Sequence, residues 1–441
     1  MNNKGRWVVV WVGLFLMILT AGGFLIKGII DNALYNRFPN RGVPRINIDL
    51  NGVSLEEIKS GSKETKYEGN DLQVYDGGEI LEYGGVEIKG RGNGTWVQEK
   101  KPFQIKFENK VDMFGMGEAK KWYLLANALD ETHLRNDIAF KLGKMLDMEY
   151  VLGGTFVELY FGGEYNGLYY LTQAVEIGKD TVNLKDELGI LVELDNYYGV
   201  GEEYHKTGNG DLIVIRDLVS KDKKDLALAD FLTDYNDFEV AVKEGDFKKI
   251  AELVDVDSFV KYYLVSEFSV NPDAYWTSFY MYKDGKDDKI HAGPIWDFDL
   301  AFANRRWVSW MGEIFYSFTE TMIRKNELRG KEFYEGMNDL DDYDESLKLS
   351  HIVFDLMEQE GFKDEVMRIY KESMHGRKKE LISYIYQRAE SLESVISFDN
   401  SGLVSEAFNE LVKDLTYWVG KRYDYFEQVY GVDEENIVRF L

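Results

Sequence analysis

The sequence predicts an α+β protein, with an amino-terminal part rich in strands, a carboxy-terminal part mainly of helices, and one apolar membrane-crossing segment ahead of both. Three observations lead there. Apolar and polar residues alternate around Asn-Gly and Gly-Gly pairs up to about residue 176, spacings of three and four take over from about Lys221, and residues 7–26 carry no charge. The chain has 441 residues, 45% of them hydrophobic and 15% aromatic, which is the composition of a folded protein. Its formal charge of −26 argues against nucleic acid as a partner. The absence of cysteine excludes disulfides, thiolate metal sites and cysteine nucleophiles, and the five histidines form no HExxH pair. Chemistry must therefore rest on carboxylates, Lys, Arg and the backbone.

Taken in order, residues 7–26 (WVVVWVGLFLMILTAGGFLI) are long enough to cross a hydrocarbon core of about 30 Å as a helix. Lys4, Arg6 and the small residues Thr20-Ala21-Gly22-Gly23 also fit a cleaved signal peptide, but the apolar run continues past them through Ile26. The flanking charges tie, with Lys4, Arg6 and the amino terminus on one side and Lys27, Arg37 and Arg41 on the other. A single anchor of this kind leaves the short amino terminus in the cytoplasm and the large part outside. The expected plan is a basic start (1–6), an anchor (7–30), a linker (31–44) and one large unit (45–436), strand-rich to about 185 and helical beyond.

Residues 45–58 and 70–88 read as hairpins, continued by KGRGNGTW (89–96) and KKPFQIKFEN (100–109), with Pro102 at a strand start. A helix is expected over Asp130–Leu146, capped by Asp130, with Leu134, Ile138, Phe140, Leu142 and Leu146 as its apolar stripe. Residues 154–176 form a further hairpin around Gly162-Gly163. Helical spacing follows in 225–242 and 256–270, a strand pair turning at Asp284-Gly285 lies within 277–299, and helices run from about Leu347 to the end.

Two turns concentrate carboxylates. Asp273 stands in Asn271-Pro272-Asp273 at a helix exit, and Asp297 and Asp299 flank Phe298 just after a strand. In an extended stretch Asp297 and Asp299 share one face while Phe298 points inward. Single Asp residues beside turns are mostly helix caps or Asx-turns. An acid before and an acid after a hairpin of about 20 residues instead matches the layout of phosphoryl transfer, a proton-accepting Asp followed by a metal-binding Asp. Hard oxygen ligands of this kind suit Mg²⁺ or Ca²⁺. A basic cluster, Lys89-Gly90-Arg91-Gly92-Asn93-Gly94 with Lys100, Lys101 and Lys106, would let backbone amides approach an anion, although Gly-rich tips are mostly plain turns.

The ordered series RGNGTW, KKPFQIKF, WYLLANALDETHLRNDIAFKL, VELYFGGEYNGLYYLTQAVE, DVDSFVKYYLVSEFSVNPDA, SFYMYKDG and GPIWDFDLAF resembles the CotH family of atypical, spore-coat type protein kinases over roughly residues 45–430. The resemblance implies an atypical protein-kinase-like fold and ATP- and Mg²⁺-dependent transfer of phosphate to Ser/Thr hydroxyls of a bacterial cell-envelope or spore-coat type protein, with Mn²⁺ or Ca²⁺ as alternative ions. It implies that Asp273 accepts the proton of the acceptor hydroxyl and that Asp297 binds the metal, with Asp299 as a further metal candidate. Arg91 and Asn93 would cover the phosphates, Lys106 or Lys101 would grip them, and Gln173 and Glu176 would lie nearest the adenine. Ser278 occupies the position five residues after Asp273, where a kinase-like loop places a metal-binding Asn. The expected helix 130–146 offers Glu131 and Asp137 but no central Glu for a strand lysine. Two other readings compete: a weakly active or inactive kinase-fold platform for surface assembly, and a Ca²⁺-binding envelope protein suggested by DDYDES (341–346).

Overall fold

The computed structural model describes residues 37–196, 203–275, 277–304, 352–399 and 405–431. The apolar run 7–26 expected to be the anchor and the acidic run 341–346 lie outside them. Among the described residues no helix is long and apolar enough to cross a membrane.

The amino-terminal half is a closed barrel. Its strands are β1 (Arg45–Asp49), β2 (Tyr67–Asp76), β3 (Glu79–Gly90), β4 (Phe103–Asp112), β5 (Glu118–Leu125), β6 (Gly154–Phe161) and β7 (Glu164–Gln173). They follow the order β1-β2-β3-β4-β5-β7-β6. β1 closes the ring, antiparallel to β2 and parallel to β6, with Arg45 opposite Glu158 and Ile48 opposite Phe161. Period-two alternation sends Ile46, Ile48, Phe103, Ile105, Trp122 and Leu124 into the barrel interior, where each is fully buried. The alternate residues Gln104, Lys106, Lys121 and Tyr123 therefore share the outer face, with Lys106 directly opposite Lys121.

Two expected strand stretches are corrected. Leu55–Ser60 is helix α1, because the Ser54 hydroxyl accepts the Glu57 N–H at 3.2 Å, and this Ser-x-x-Glu start outweighs the short alternation around it. Residues 91–102 leave the sheet altogether and form a projecting tip between β3 and β4. Helix α2 (Arg135–Met145) begins later than the expected Asp130, yet Asp130 Oδ2 still accepts the Arg135 N–H at 2.9 Å and so serves the first turn from farther back.

The second half is helical but built on a five-stranded sheet. Strands β8 (Ile190–Leu194), β9 (Tyr204–Lys206), β10 (Leu212–Leu218), β11 (Phe279–Lys283) and β12 (His291–Ala292) take the order β12-β11-β8-β10-β9. Of these the sequence pattern revealed the β11–β12 pair within 277–299 and not β8, β9 or β10. Helices α3 (Lys224–Glu244), α4 (Phe247–Leu253) and α5 (Val256–Ser269) precede β11; α6 (Ile352–Leu356), α7 (Glu360–Ser373), α8 (Lys378–Ile396) and α9 (Ser405–Val429) follow β12. β8 is buried at every position, so its residues, apolar but for Glu193, show no alternation.

Helix α5 is buried on all sides near its end. Its last turn is held by Arg422 of α9, which donates to the carbonyls of Glu267 and Phe268 and pairs with the Glu267 carboxylate at 3.0 Å, both side chains fully buried. Arg422→Met is expected to lower the unfolding free energy by about 3–5 kcal/mol, because it leaves a buried carboxylate without its guanidinium. Urea denaturation checks this, and Arg422→Met/Glu267→Met should recover a large part of the loss; an unchanged midpoint in the single variant would deny the pair its structural role.

Candidate active site

The cleft lies where the outer face of β4 and β5 meets the turns that follow α5 and β12. The Arg422-held end of α5 passes into Val270, whose left-handed backbone (φ 52°) turns the chain, and then into Asn271. The fully buried Asn271 side chain receives the Asp273 N–H at 3.2 Å and donates to the Asp297 carbonyl at 3.0 Å. It thereby clips the two acid-bearing turns together. Asp273 opens a single 3₁₀ turn. Beyond it, the Thr277 hydroxyl donates to Asp195 at 2.9 Å and the Ser278 N–H to Glu193 at 3.1 Å, while Arg216 pairs with both acids. Burial pushes Glu193 up to about 7, with Arg216 opposing.

The Asp297-Phe298-Asp299 segment is not the extended stretch that the sequence suggested. Asp297 has a left-handed backbone (φ 65°), a conformation costly for a non-glycine residue and typical of functional sites. Phe298 is nevertheless fully buried, and its N–H donates to Asn136 Oδ1 at 2.9 Å. Asn304 donates to the carbonyls of Asp299 and Leu129, each at 2.7 Å, and Arg135 Nε donates to the Ala301 carbonyl at 2.9 Å.

The carboxylates of Asp273, Asp297 and Asp299 perturb one another. Burial pushes Asp273 up to about 7, and the charge of Asp297 adds to it. Burial also raises Asp297, against the pull of Arg91. It carries Asp299 well above the ordinary range, with Asp297, Asp273 and Asp130 adding and Arg91 opposing. Arg91 reaches the site from the 91–102 tip. Its guanidinium stacks on Tyr123 of β5 at 4.2 Å and on Trp296, the residue before Asp297, at 5.3 Å. Glycine is required at position 92, where φ is 78° and a Cβ would meet the Thr95 hydroxyl at 2.1 Å.

The structure thus brings Arg91, Asp273, Asp297 and Asp299 together. Ser278 lies beyond Asp273, buried and fixed to Glu193 through its backbone. Asn93 is exposed at the tip, where its side chain accepts from Lys63. Lys101 is tied back into the tip, donating to the Trp96 carbonyl and lying over the Trp96 ring at 5.2 Å. Lys106 stands on the outer barrel face beside Lys121. Gln173 is buried with its amide spent on Gly153, Gly117 and Asp180 backbone groups, which leaves little for a ligand. Glu176 pairs with Lys121 at 3.1 Å and accepts the Lys120 and Lys121 N–H groups. Sequence reasoning missed Tyr123 and Trp296 as the platform for Arg91, Asn271 as the clip, and Lys121 as the strand lysine with an acid partner. The last had a signal, since Lys121 lies two residues from Tyr123 on the same face. Asp137 of α2 turns away from the barrel lysines and instead pairs with Arg388 of α8 at 2.7 Å.

The family model for the CotH kinase protein matches residues 87–426. The chain belongs to the CotH kinase family. The match begins at the end of β3 and takes in the tip, strands β4 to β7 and the carboxylate turns, in a chain whose β-rich first part and helix-rich second part are as the resemblance implied. No curated protein matches the chain.

Mutual repulsion has a measurable consequence. A carboxyl whose folded pKa lies above its unfolded value of 3.8 takes up a proton on folding between the two values. Its contribution to stability is complete below that value and is lost as pH rises through about 7. Relative to Asp273→Asn, the metal-free wild type should therefore lose melting temperature between about pH 4 and pH 7 and run parallel above. Asp299→Asn, which removes one of three repelling acids, should stabilise the metal-free chain by about 0.5–2 kcal/mol at neutral pH in calorimetry. A destabilised Asp299→Asn would contradict the repulsion.

Proposed function

We propose that this chain is an ATP- and Mg²⁺-dependent protein kinase that phosphorylates Ser or Thr hydroxyls of a cell-envelope or spore-coat type protein. The observation that carries the reading is the gathering of Asp273, Asp297 and Asp299 beneath Arg91 in a member of a kinase family. Asp273 is the base that orients and deprotonates the acceptor hydroxyl; a pKa near 7 suits that task at neutral pH. Asp297 and Asp299 hold the metal.

The donor set fits a hard divalent cation, being all-oxygen and self-repelling, although no three His, Asp or Glu side chains among the described residues are arranged to hold a metal ion. A Mg²⁺ ion held by these carboxylates would supply charge that neutralises the phosphates. Arg91, flat against Tyr123 and Trp296, presents its remaining donors to the phosphates, with Asn93 and the tip backbone beside it. Lys106, with Lys121 alongside, supplies positive charge from the barrel face, and Glu176 orients Lys121. Ser278 offers a hydroxyl as a weaker ligand in place of an amide. Gln173 is left out of the nucleotide set.

Residues 7–26 act as an uncleaved anchor of about 20 residues, and 45–436 form one kinase unit held outside the cytoplasm. The uncharged length supports the anchor.

Radiolabel transfer from γ-labelled ATP, to the full-length chain itself and to a generic Ser/Thr-rich protein, tests the activity. Transfer should need Mg²⁺ and stop with EDTA. Asp273→Ala and Asp297→Ala should each lower the rate by about 10²–10⁴-fold, and the double variant should lose little more. Full activity in Asp297→Ala would sink the metal assignment. A rise in melting temperature with Mg-ATP but no transfer would make the fold a binding platform.

A further inference from the structure

The β9–β10 hairpin carries a second group of buried oxygens that the kinase reading does not use. Its turn, Thr207-Gly208-Asn209-Gly210-Asp211, closes with the Thr207 N–H donating to the Asp211 carbonyl at 2.9 Å and the Gly210 N–H to the Thr207 carbonyl at 3.1 Å. It packs down on α3, where Asn236 Oδ1 accepts the Gly208 N–H at 2.8 Å and Glu239 Oε2 accepts the Asn209 N–H at 3.0 Å. Asp211 Oδ1 accepts from Asn196 at 3.3 Å, and Asn196 in turn accepts the Leu212 N–H at 3.0 Å.

Four oxygens are left over at this one place. Asp211 Oδ2, Glu239 Oε1, the Thr207 hydroxyl and the Tyr235 hydroxyl are buried with no hydrogen-bond partner among the described residues. Their residues are 9%, 4%, 6% and 0% exposed. The Thr207 hydroxyl lies against Glu239 without completing a bond to Oε1. Tyr235 is locked between Phe231, stacked at 5.9 Å, and Phe238, edge-on at 5.8 Å, and its hydroxyl end lies within the field of both acids. Burial raises Asp211 to about 6 and raises Glu239, which the charge of Asp211 pushes further. Among the described residues, no Lys, Arg or His is one of the main influences on either acid. A buried carboxylate pair without a cation is expensive, and buried charges are ordinarily paired or metal-bound.

We propose that Asp211, Glu239 and Thr207 form a second divalent-cation site, of the Ca²⁺ class, separate from the Asp273, Asp297 and Asp299 cleft. Ca²⁺ takes six to eight oxygens of mixed kind at flexible geometry, and this turn offers carboxylates, a hydroxyl and loop carbonyls. Mg²⁺ demands a near-octahedral set and keeps its waters, which a nine-tenths buried pocket excludes. The charges that perturb the cleft acids come from one another, from Asp130 and from Arg91, so the two sites are distinct.

Calcium titration calorimetry on the full-length chain carrying Asp297→Ala and Asp299→Asn, with terbium luminescence sensitised through Tyr235, isolates this site from the cleft. One equivalent of Ca²⁺ should bind and raise the melting temperature. Adding Asp211→Asn and Glu239→Gln should weaken binding at least about 100-fold and remove the terbium signal, with a metal-free melting temperature equal to or above that of the parent. That last measurement separates loss of the site from loss of the fold. Undiminished Ca²⁺ binding in the amide variant, or none in the cleft-silenced parent at millimolar Ca²⁺, would overturn the proposal.

Discussion

Three carboxylates that repel one another inside a cleft can persist only if the backbone beneath them cannot yield. The chain meets that constraint with polar side chains spent on main-chain groups. Asn271 clips the Asp273 and Asp297 turns, Asn136 takes the Phe298 N–H, Asn304 takes the Asp299 carbonyl, and the Phe302 N–H donates to the Ser269 carbonyl at 2.7 Å. Arg422 sets where α5 ends and so where all of these begin. The left-handed backbones at Val270, Ser278 and Asp297 are held by this network, and such strain persists only where the surroundings over-determine it. Among the described residues, Arg91 is the cation that opposes the repulsion of the acids.

Arg91 also resolves the contrast between a chain of −26 and the anionic ligand proposed for the cleft. A surface of that charge repels phosphate at long range, screened beyond about 8 Å at physiological ionic strength. What matters within that distance is one guanidinium pinned by two rings, with Lys106 and Lys121 on the neighbouring strands. Because Tyr123 belongs to the barrel and Trp296 to the turn before Asp297, the same stack couples the tip to the carboxylates. One contact thus both seats the tip on the barrel and holds the cation over the carboxylates.

Much of the site was legible in the sequence because its chemistry sits in short ordered segments: Arg91 in the Gly-rich tip, Asp273 after Asn-Pro, and Asp297 and Asp299 around a buried aromatic. What was not legible depends on pairing across the chain. Lys121 meets Glu176 only through barrel closure, and Asn271 looks like an ordinary turn residue until the partner turn is beside it. The resemblance implied Gln173 beside the adenine, whereas the pairing of β7 with β5 buries it and its amide goes to backbone groups. In the fold, alternation identified β2, β3, β6 and β7. It missed β8, which is buried on both faces and has no period, and it mistook α1 for a strand, because a six-residue helix is too short to display its own spacing.

The seam between β1 and β6 has a mechanical consequence. β1 is the first strand of the barrel and lies between two neighbours, so a pull on the amino-terminal end is directed along its own axis. Both of its ladders would then be loaded in shear, all bonds together, rather than unzipped one at a time. An enzyme tethered through that end would have its barrel, and the tip that carries Arg91, protected from tension by the strand through which the tension enters.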